Sequence, residues 1–217
     1  MGKYVQYGAG SSAPDGWLNF DASPTLRIER IPFIGLKIGP LLRQPVIFPP
    51  STLYGDIIKG LPVEDDSVDG LYASHVLEHL SLVDMRRALA NSLRVLKPGG
   101  IFRLIVPDLK ARAAAYLAAG DDPEAAHRFM RSSCLGMEGS RGTLMGRIRQ
   151  VLGNSAHLWM FDYPAMAAEL EKAGFVDIRR AKCGDAADRM FDLVEEEGRF
   201  NDHGILEVAI EARKPAR

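Results

Sequence analysis

Short β-prone runs alternate along this chain with turns and helical stretches, and that alternation restricts the fold more than any other feature of the sequence. Tyr4-Val5-Gln6-Tyr7 opens the series and is stopped by Gly8-Ala9-Gly10-Ser11-Ser12, where glycine permits backbone angles that other residues resist. Trp17-Leu18-Asn19-Phe20 follows, with Asp21 at its carboxyl end. Residues 53–57 make a third run around Gly55-Asp56, and residues 68–73 a fourth that ends at Ser74-His75. Ser81 and Asp84 form a capping box for a helix in which Leu82, Met85, Leu89, Leu93 and Leu96 recur at helical spacing, and Lys97-Pro98-Gly99-Gly100 stops it. The most strand-like run is 101–106, closed by Pro107-Asp108. A helix over about 164–173 ends at Gly174, and 176–181 and 205–212 complete the strands.

Strands separated by helices argue for a mostly parallel α/β sheet, whose ligands bind at the carboxyl ends of the strands. Gly8, Asp21, Asp56, His75 and Asp108 all fall at such ends. Only the nine residues 8–16 separate Tyr7 from Trp17, fewer than the dozen or so that a crossover containing a helix needs. The first crossover helix is therefore short or absent. Because a parallel sheet is normally covered on both faces, a replacement is expected. The apolar, proline-punctuated insertion 25–51, with Ile31, Phe33, Ile34, Leu36, Ile38, Leu41 and Leu42, is expected to pack near the gap, roof the ligand or meet a second subunit in a homodimer. A second insertion, 109–158, is rich in Ala and Arg. The whole of 1–217 is expected to form one domain.

Composition narrows the function. Of 217 residues 47% are hydrophobic, enough for one sizeable core. Twenty-seven Lys and Arg against twenty-eight Asp and Glu leave a net charge of -1, so no global field favours nucleic acid or an anionic membrane. Cys134 and Cys183 lie in no metal-ligand or disulfide spacing. No run approaches the ~18 apolar residues of a membrane span, and Met1 to Gly10 lacks a secretion pattern. A cytoplasmic location is expected.

Taken together, Tyr7-Gly8-Ala9-Gly10, Asp15-Gly16-Trp17-Leu18-Asn19-Phe20-Asp21, Gly55-Asp56, Leu61-Pro62, Ser67-Val68-Asp69 and His75-Val76-Leu77-Glu78-His79-Leu80 resemble the class I S-adenosylmethionine-dependent methyltransferases, in particular the bacterial type 11-like branch. Leu93 to Gly100 and Leu170-Glu171-Lys172-Ala173-Gly174-Phe175 extend the match. The resemblance implies a Rossmann-like seven-stranded sheet with an antiparallel last strand and helices on both faces. It implies S-adenosyl-L-methionine as cofactor, bordered by Tyr7, Gly8, Ala9 and Gly10 at the methionine, Asp21 at the ribose, Asp56 and Ile57 at the adenine, and Ser74 and His75 near the sulfonium. A carboxylate with two acceptor oxygens suits a cis-diol. Gln6 stands where many members carry an acid, and Ser12 where they carry a third glycine.

Other motifs point elsewhere. Gly8 to Ala13 satisfies GxGxxG/A, the nicotinamide or flavin fingerprint, but Asp21 follows Gly10 by eleven residues rather than the ~20 that fingerprint needs. A non-catalytic domain that binds the methyl donor is the other rival, with Gln6 and Ser12 as signs of decay. His75-Val76-Leu77-Glu78-His79 spells H-x-x-E-H, yet it straddles a strand end instead of lying on one helical face, which argues against a metal site. Arg147 and Arg149 could bind an anionic acceptor, although such stretches are more often solvated helix faces. His157, in His157-Leu158-Trp159-Met160-Phe161-Asp162-Tyr163, and Asp108 are the candidates to take a proton from a hydroxyl acceptor. That acceptor is expected to be a saccharide or another small envelope-type metabolite, by analogy with the branch.

Overall fold

The computed structural model describes residues 2–30, 48–136 and 156–216. Its strands in chain order are β1 (Tyr4–Tyr7), β2 (Trp17–Asp21), β3 (Leu53–Tyr54), β4 (Val68–Ser74), β5 (Leu96–Val106), β6 (Val176–Arg180), β7 (Asn201–Asp202), β8 (Ile205–Leu206) and β9 (Val208–Arg213). Seven of them form one sheet in the order β3-β2-β1-β4-β5-β9-β6, and β7 with β8 makes a small separate hairpin. The first five are parallel, while β9 runs antiparallel to both β5 and β6. The expected seven-stranded sheet with an antiparallel last strand is what the chain forms. Among the described residues no helix is long and apolar enough to cross a membrane.

Three boundaries differ from expectation: β3 stops at Tyr54 instead of running to residue 57, and the other two lie at β5 and at the last strand. Leu96 already pairs with Val68, so β5 starts where the helix ends and Lys97 to Gly100 bulge within it before Ile101 meets Gly70. A Cβ on Gly100 would stand 3.0 Å from the Val68 carbonyl oxygen, and this close backbone approach is why a glycine interrupts the strand there. The run 205–212 is split at Glu207 into β8 and β9. Glu207 turns its carboxylate to Arg112 in a two-pronged bond of 2.8 and 2.8 Å.

One face of the sheet is covered by α2 (Leu82–Val95) and α5 (Tyr163–Ala173), labelled after the short α1 (Pro24–Glu29), α3 (Leu109–Ala118) and α4 (Ala125–Ser132). Ser81 caps α2 as expected, accepting from the Asp84 amide at 3.2 Å. Met85, Ala88 and Leu89 of α2 and Met166 and Leu170 of α5 pack on Val5, Leu71, Phe102 and Leu104. Arg86 clamps the two helices, donating to both oxygens of Glu169 at 2.7 and 3.0 Å, and Lys172 adds a third bond. These partners hold the Glu169 carboxyl down at about 2, against an ordinary 4.5. The stabilisation is fully present above pH 4.5 and is lost as the pH falls towards 2. Glu169→Gln is therefore expected to be less stable than the parent at neutral pH and to approach it in acid. Urea melts at several pH values check this, and a deficit that stays constant into acid would refute the pairing.

The other face carries a polar row. Asn19, Gln6, Tyr72, Arg103, Glu211 and Arg179 stand side by side in register across β2, β1, β4, β5, β9 and β6. Gln6 donates to Asn19 at 2.6 Å, and Arg103, 1% exposed, donates to Glu195 at 2.6 Å, Glu211 at 2.5 Å and Asp185 at 2.9 Å. No helix fills the β1–β2 connection. Instead Ala186, Phe191, Val194 and Phe200, in a segment between β6 and β7 that contains two short 3₁₀ turns, pack against Trp17, Tyr72, Ile101 and Ile105. Trp17 donates its indole N–H to the Met190 carbonyl, and Tyr4 its hydroxyl to Asp188. The described cover over this gap is thus the C-terminal segment. Residues 31–47, which hold the apolar side chains of that insertion, lie outside the described residues.

Candidate functional site

The carboxyl ends of β1 and β2 are tied together by Asp21. Its Oδ2 accepts from the Gly10 amide at 3.0 Å and its Oδ1 from the Ser23 amide at 2.7 Å, while the Ala9 amide reaches the Phe20 carbonyl at 3.0 Å. Gly8 has φ +70, and a Cβ there would lie 2.1 Å from Val76 Cγ2, so the loop after β1 sits directly on the loop after β4. Tyr7 turns the other way: its ring is buried under α2, its hydroxyl bonds to Ser92, and burial pushes its pKa well up. Only the Tyr7 backbone borders the loop. Asp56 caps its own turn through Ile58 N–H and pairs with Lys59, and Ile57 is buried, its carbonyl held by Asn91.

Gln6, Gly8, Ala9, Ser12, Ser74 and Arg199 enclose a cavity of about 10 Å³. The hydroxyls of Ser74 and of neighbouring Tyr72 are buried without a hydrogen-bond partner. His75 follows with φ +54, a left-handed conformation unusual outside glycine. Two bonds hold it there, from its amide to the Ile105 carbonyl at 2.9 Å and from Nε2 to the Arg199 carbonyl at 3.0 Å.

Beyond His75 a 3₁₀ turn, Leu77–His79, buries Glu78 completely. His75 Nδ1 is 3.4 Å and His79 Nε2 3.8 Å from Glu78 Oε1. Burial works against a charged His75 ring, but the Glu78 carboxylate outweighs it and holds the pKa above the ordinary value. His157 arrives from the far end of the second insertion, its ring centre 5.0 Å from that of His79 and edge-on to it. The Leu158 and Trp159 amides donate to the Glu78 carbonyl, and the His157 amide to that of Cys134. Burial holds the His157 imidazole below its ordinary pKa. Trp159 itself is exposed.

Asp108 does not join His157 through any hydrogen bond among the described residues. Its Oδ1 caps α3 by accepting from Ala111 at 3.1 Å. Between α3, α4 and the β7–β8 hairpin lies a groove of about 650 Å³, lined among others by Arg112, Tyr116, Arg128, Phe129, Cys134 and Asp202. The Gly8–Gly10 loop is not among its walls. Arg147 and Arg149 lie outside the described residues.

Residues 42–104 match the family model described as a methyltransferase domain. The whole chain superposes on a SAM-dependent methyltransferase from Thermotoga maritima with a TM-score of 0.51, at 18% identity over 99% of this chain and 82% of that one. The chain has the class I methyltransferase fold. A chain of the structure described as a complex between the Haloferax volcanii Trm112 methyltransferase activator and "the putative methyltransferase" gives 0.50, at 15% identity over 99% and 83%. The CurJ carbon methyltransferase also gives 0.50, at 14% identity, with this chain spanning 49% of its length. No curated protein matches the chain. Within the methyltransferase fold the family match covers Asp56, Ile57, Ser74 and His75, whereas the Gly8–Gly10 loop and Asp21 precede it.

Sequence reasoning singled out the strand-end residues and, within H-x-x-E-H, Glu78, but missed other buried charges, among them Arg103, Arg112 and Glu207. A signal existed for one of them. Arg103 interrupts Ile101 to Val106 as Glu211 interrupts Val208 to Ala212, and opposite charges inside two apolar strands suggest neighbours in a sheet.

Proposed function

We propose that the chain transfers the methyl group of S-adenosylmethionine to a small-molecule or saccharide acceptor. The observation that carries this reading is the bond from Gly10 N–H to Asp21, which fixes a glycine loop and a carboxylate side by side where an open α/β sheet binds its ligands. The sulfonium activates the transferred methyl group, so the chain's own residues have to bind, align and exclude water.

The residues present fit such a donor. Each Asp21 oxygen makes one backbone bond and keeps a lone pair for a ribose hydroxyl. Ser74 and Tyr72 offer unpartnered hydroxyls beside the Gly8 loop, and Asp56 with Ile57 supplies a polar edge and an apolar wall for adenine. The groove of about 650 Å³ has the size of a small-molecule site, and its Arg128 and aromatic walls suit a polar, oxygen-rich acceptor. His157, hydrogen-bonded through its backbone to Cys134 of that groove, stands on the acceptor side, and transfer to oxygen agrees with an imidazole there. Asp108, as the α3 cap, holds the helix that walls the groove.

Calorimetry with S-adenosylmethionine, S-adenosylhomocysteine and NAD tests the reading. Both sulfur compounds should bind and NAD should not. Asp21→Ala should weaken them by about 1–3 kcal/mol, the cost of losing charge-assisted hydrogen bonds. Preference for NAD would replace the reading with a nicotinamide oxidoreductase, and unchanged affinity in a folded Asp21→Ala would remove Asp21 from the site.

A further inference from the structure

Glu78 is fully buried, and neither of its oxygens accepts a hydrogen bond. Burial of a carboxylate without donors is unfavourable unless positive charge compensates it, yet the groups around it are imidazoles. His79 Nδ1 lies 3.1 Å from the Ala156 carbonyl; a carbonyl only accepts, so Nδ1 carries a proton and Nε2 is the nitrogen turned to Glu78. His75 has the reverse arrangement, with Nε2–H on the Arg199 carbonyl and Nδ1 turned to the same carboxylate. Ring nitrogens therefore face a buried carboxylate oxygen, and a proton or a cation must stand between them. His75 and His79 both face the same oxygen, Oε1, and the His157 ring stands edge-on to that of His79.

Glu78, His79 and His157 each offer one ligand atom, all within 4.8 Å of one another. We propose that these three residues form a binding site for a divalent transition-metal ion of the zinc class. Two neutral imidazoles and a carboxylate are the donors such ions take, at bond lengths of about 2.0–2.2 Å, so small rotations of the half-buried His157 close the set. Backbone bonds prearrange it: Leu158 and Trp159 join the end of the second insertion to the 3₁₀ turn at the Glu78 carbonyl, and His157 is tied to Cys134. The Ala156 carbonyl behind His79 is the outer partner that orients a metal-binding imidazole and raises its basicity. The α-helical spacing that H-x-x-E-H has in peptidases is not used. His157, remote in sequence, supplies the second imidazole instead. Three protein ligands leave a coordination position for water or for an acceptor oxygen, and only that last possibility rests on the methyltransferase reading.

The test is a titration of the chelator-treated protein with Co²⁺, followed by visible absorption, and then by displacement with Zn²⁺. One Co²⁺ per chain with ligand-field bands, displaced by Zn²⁺, is expected. His157→Ala and His79→Ala should each weaken binding by roughly a hundredfold, while His203→Ala, whose ring is exposed, should bind as the parent does. Glu78→Gln removes the carboxylate, and if it does not fold, the two histidine variants decide. An absence of bands at saturating Co²⁺, or binding by both histidine variants as tight as the parent's, overturns the site. Donor binding is read separately by calorimetry. Metal binding without affinity for S-adenosylmethionine would defeat the methyltransferase reading and leave the metal site standing, and the reverse result would do the opposite.

Discussion

Arg103→Met is expected to destabilise the fold by roughly 3–5 kcal/mol, the cost of removing one partner from a buried ionic cluster. Three carboxylates converge on the Arg103 guanidinium, from Glu195, Glu211 and Asp185, and the Lys182 carbonyl takes a further bond. Arg179 can still serve Glu211 and Asp185 in the variant. Glu195 cannot be served that way, since its side chain is 1% exposed and its remaining bond comes from the Gly184 amide. Burial already holds the Glu195 carboxyl above its ordinary value, and loss of Arg103 raises it further. The deficit should therefore shrink as the pH is lowered and Glu195 takes up a proton. Glu195→Gln added to Arg103→Met should recover part of the loss, because a neutral amide is less costly to bury unpaired than a carboxylate. Denaturant melts of the two variants at neutral and acid pH measure both effects. A single variant within 1 kcal/mol of the parent would mean that the cluster is open to water.

Gly8→Ala is expected to cost roughly 2–4 kcal/mol of stability and to lower affinity for S-adenosylmethionine at the same time. Two effects add at this residue. A methyl group would sit 2.1 Å from Val76 Cγ2, far inside contact distance, and φ +70 is strained for any residue with a Cβ. Either Val76 or the glycine loop must move, and movement of the loop breaks the Gly10 bond to Asp21. Val76→Ala removes the atom that is struck, so the double variant should regain the steric part and retain about 1 kcal/mol of backbone strain. Thermal melts with and without the donor separate the two contributions. Full stability in Gly8→Ala would show that the two loops are not in contact.

Much of the parallel sheet was legible because each strand end carries its own punctuation: Gly8 after β1, Asp21 closing β2, Ser74-His75 after β4, Pro107-Asp108 after β5. The helix beginning at Ser81 was legible from its cap and its apolar spacing. The cover of the second face was not. Residues 186–200 are rich in acids and form 3₁₀ turns, which have no 3.6-residue apolar period to detect. Long-range pairing hid the rest. Nothing in the local sequence of Glu78 tells that its neighbour is His157, and H-x-x-E-H misleads because the helix that motif presumes is here a 3₁₀ turn after a strand. Asp21 and Gly10 were assigned separately, and their direct bond follows only from the parallel register of β1 and β2.

The polar row has a consequence for how the chain comes off the ribosome. Both the 3₁₀ cover and β9, the strand that fills the slot between β5 and β6, lie in the last stretch of the sequence. Strands β1 to β5 can therefore assemble while one side of the young sheet is still bare. A wholly apolar surface of that extent would invite association with other nascent chains. Asn19, Gln6, Tyr72 and Arg103 instead draw a band of hydrogen-bonding groups across it, with the Arg103 charge waiting in water for Glu195 and Glu211 to be synthesised. The same guanidinium that locks the finished sheet would keep the unfinished one solvated.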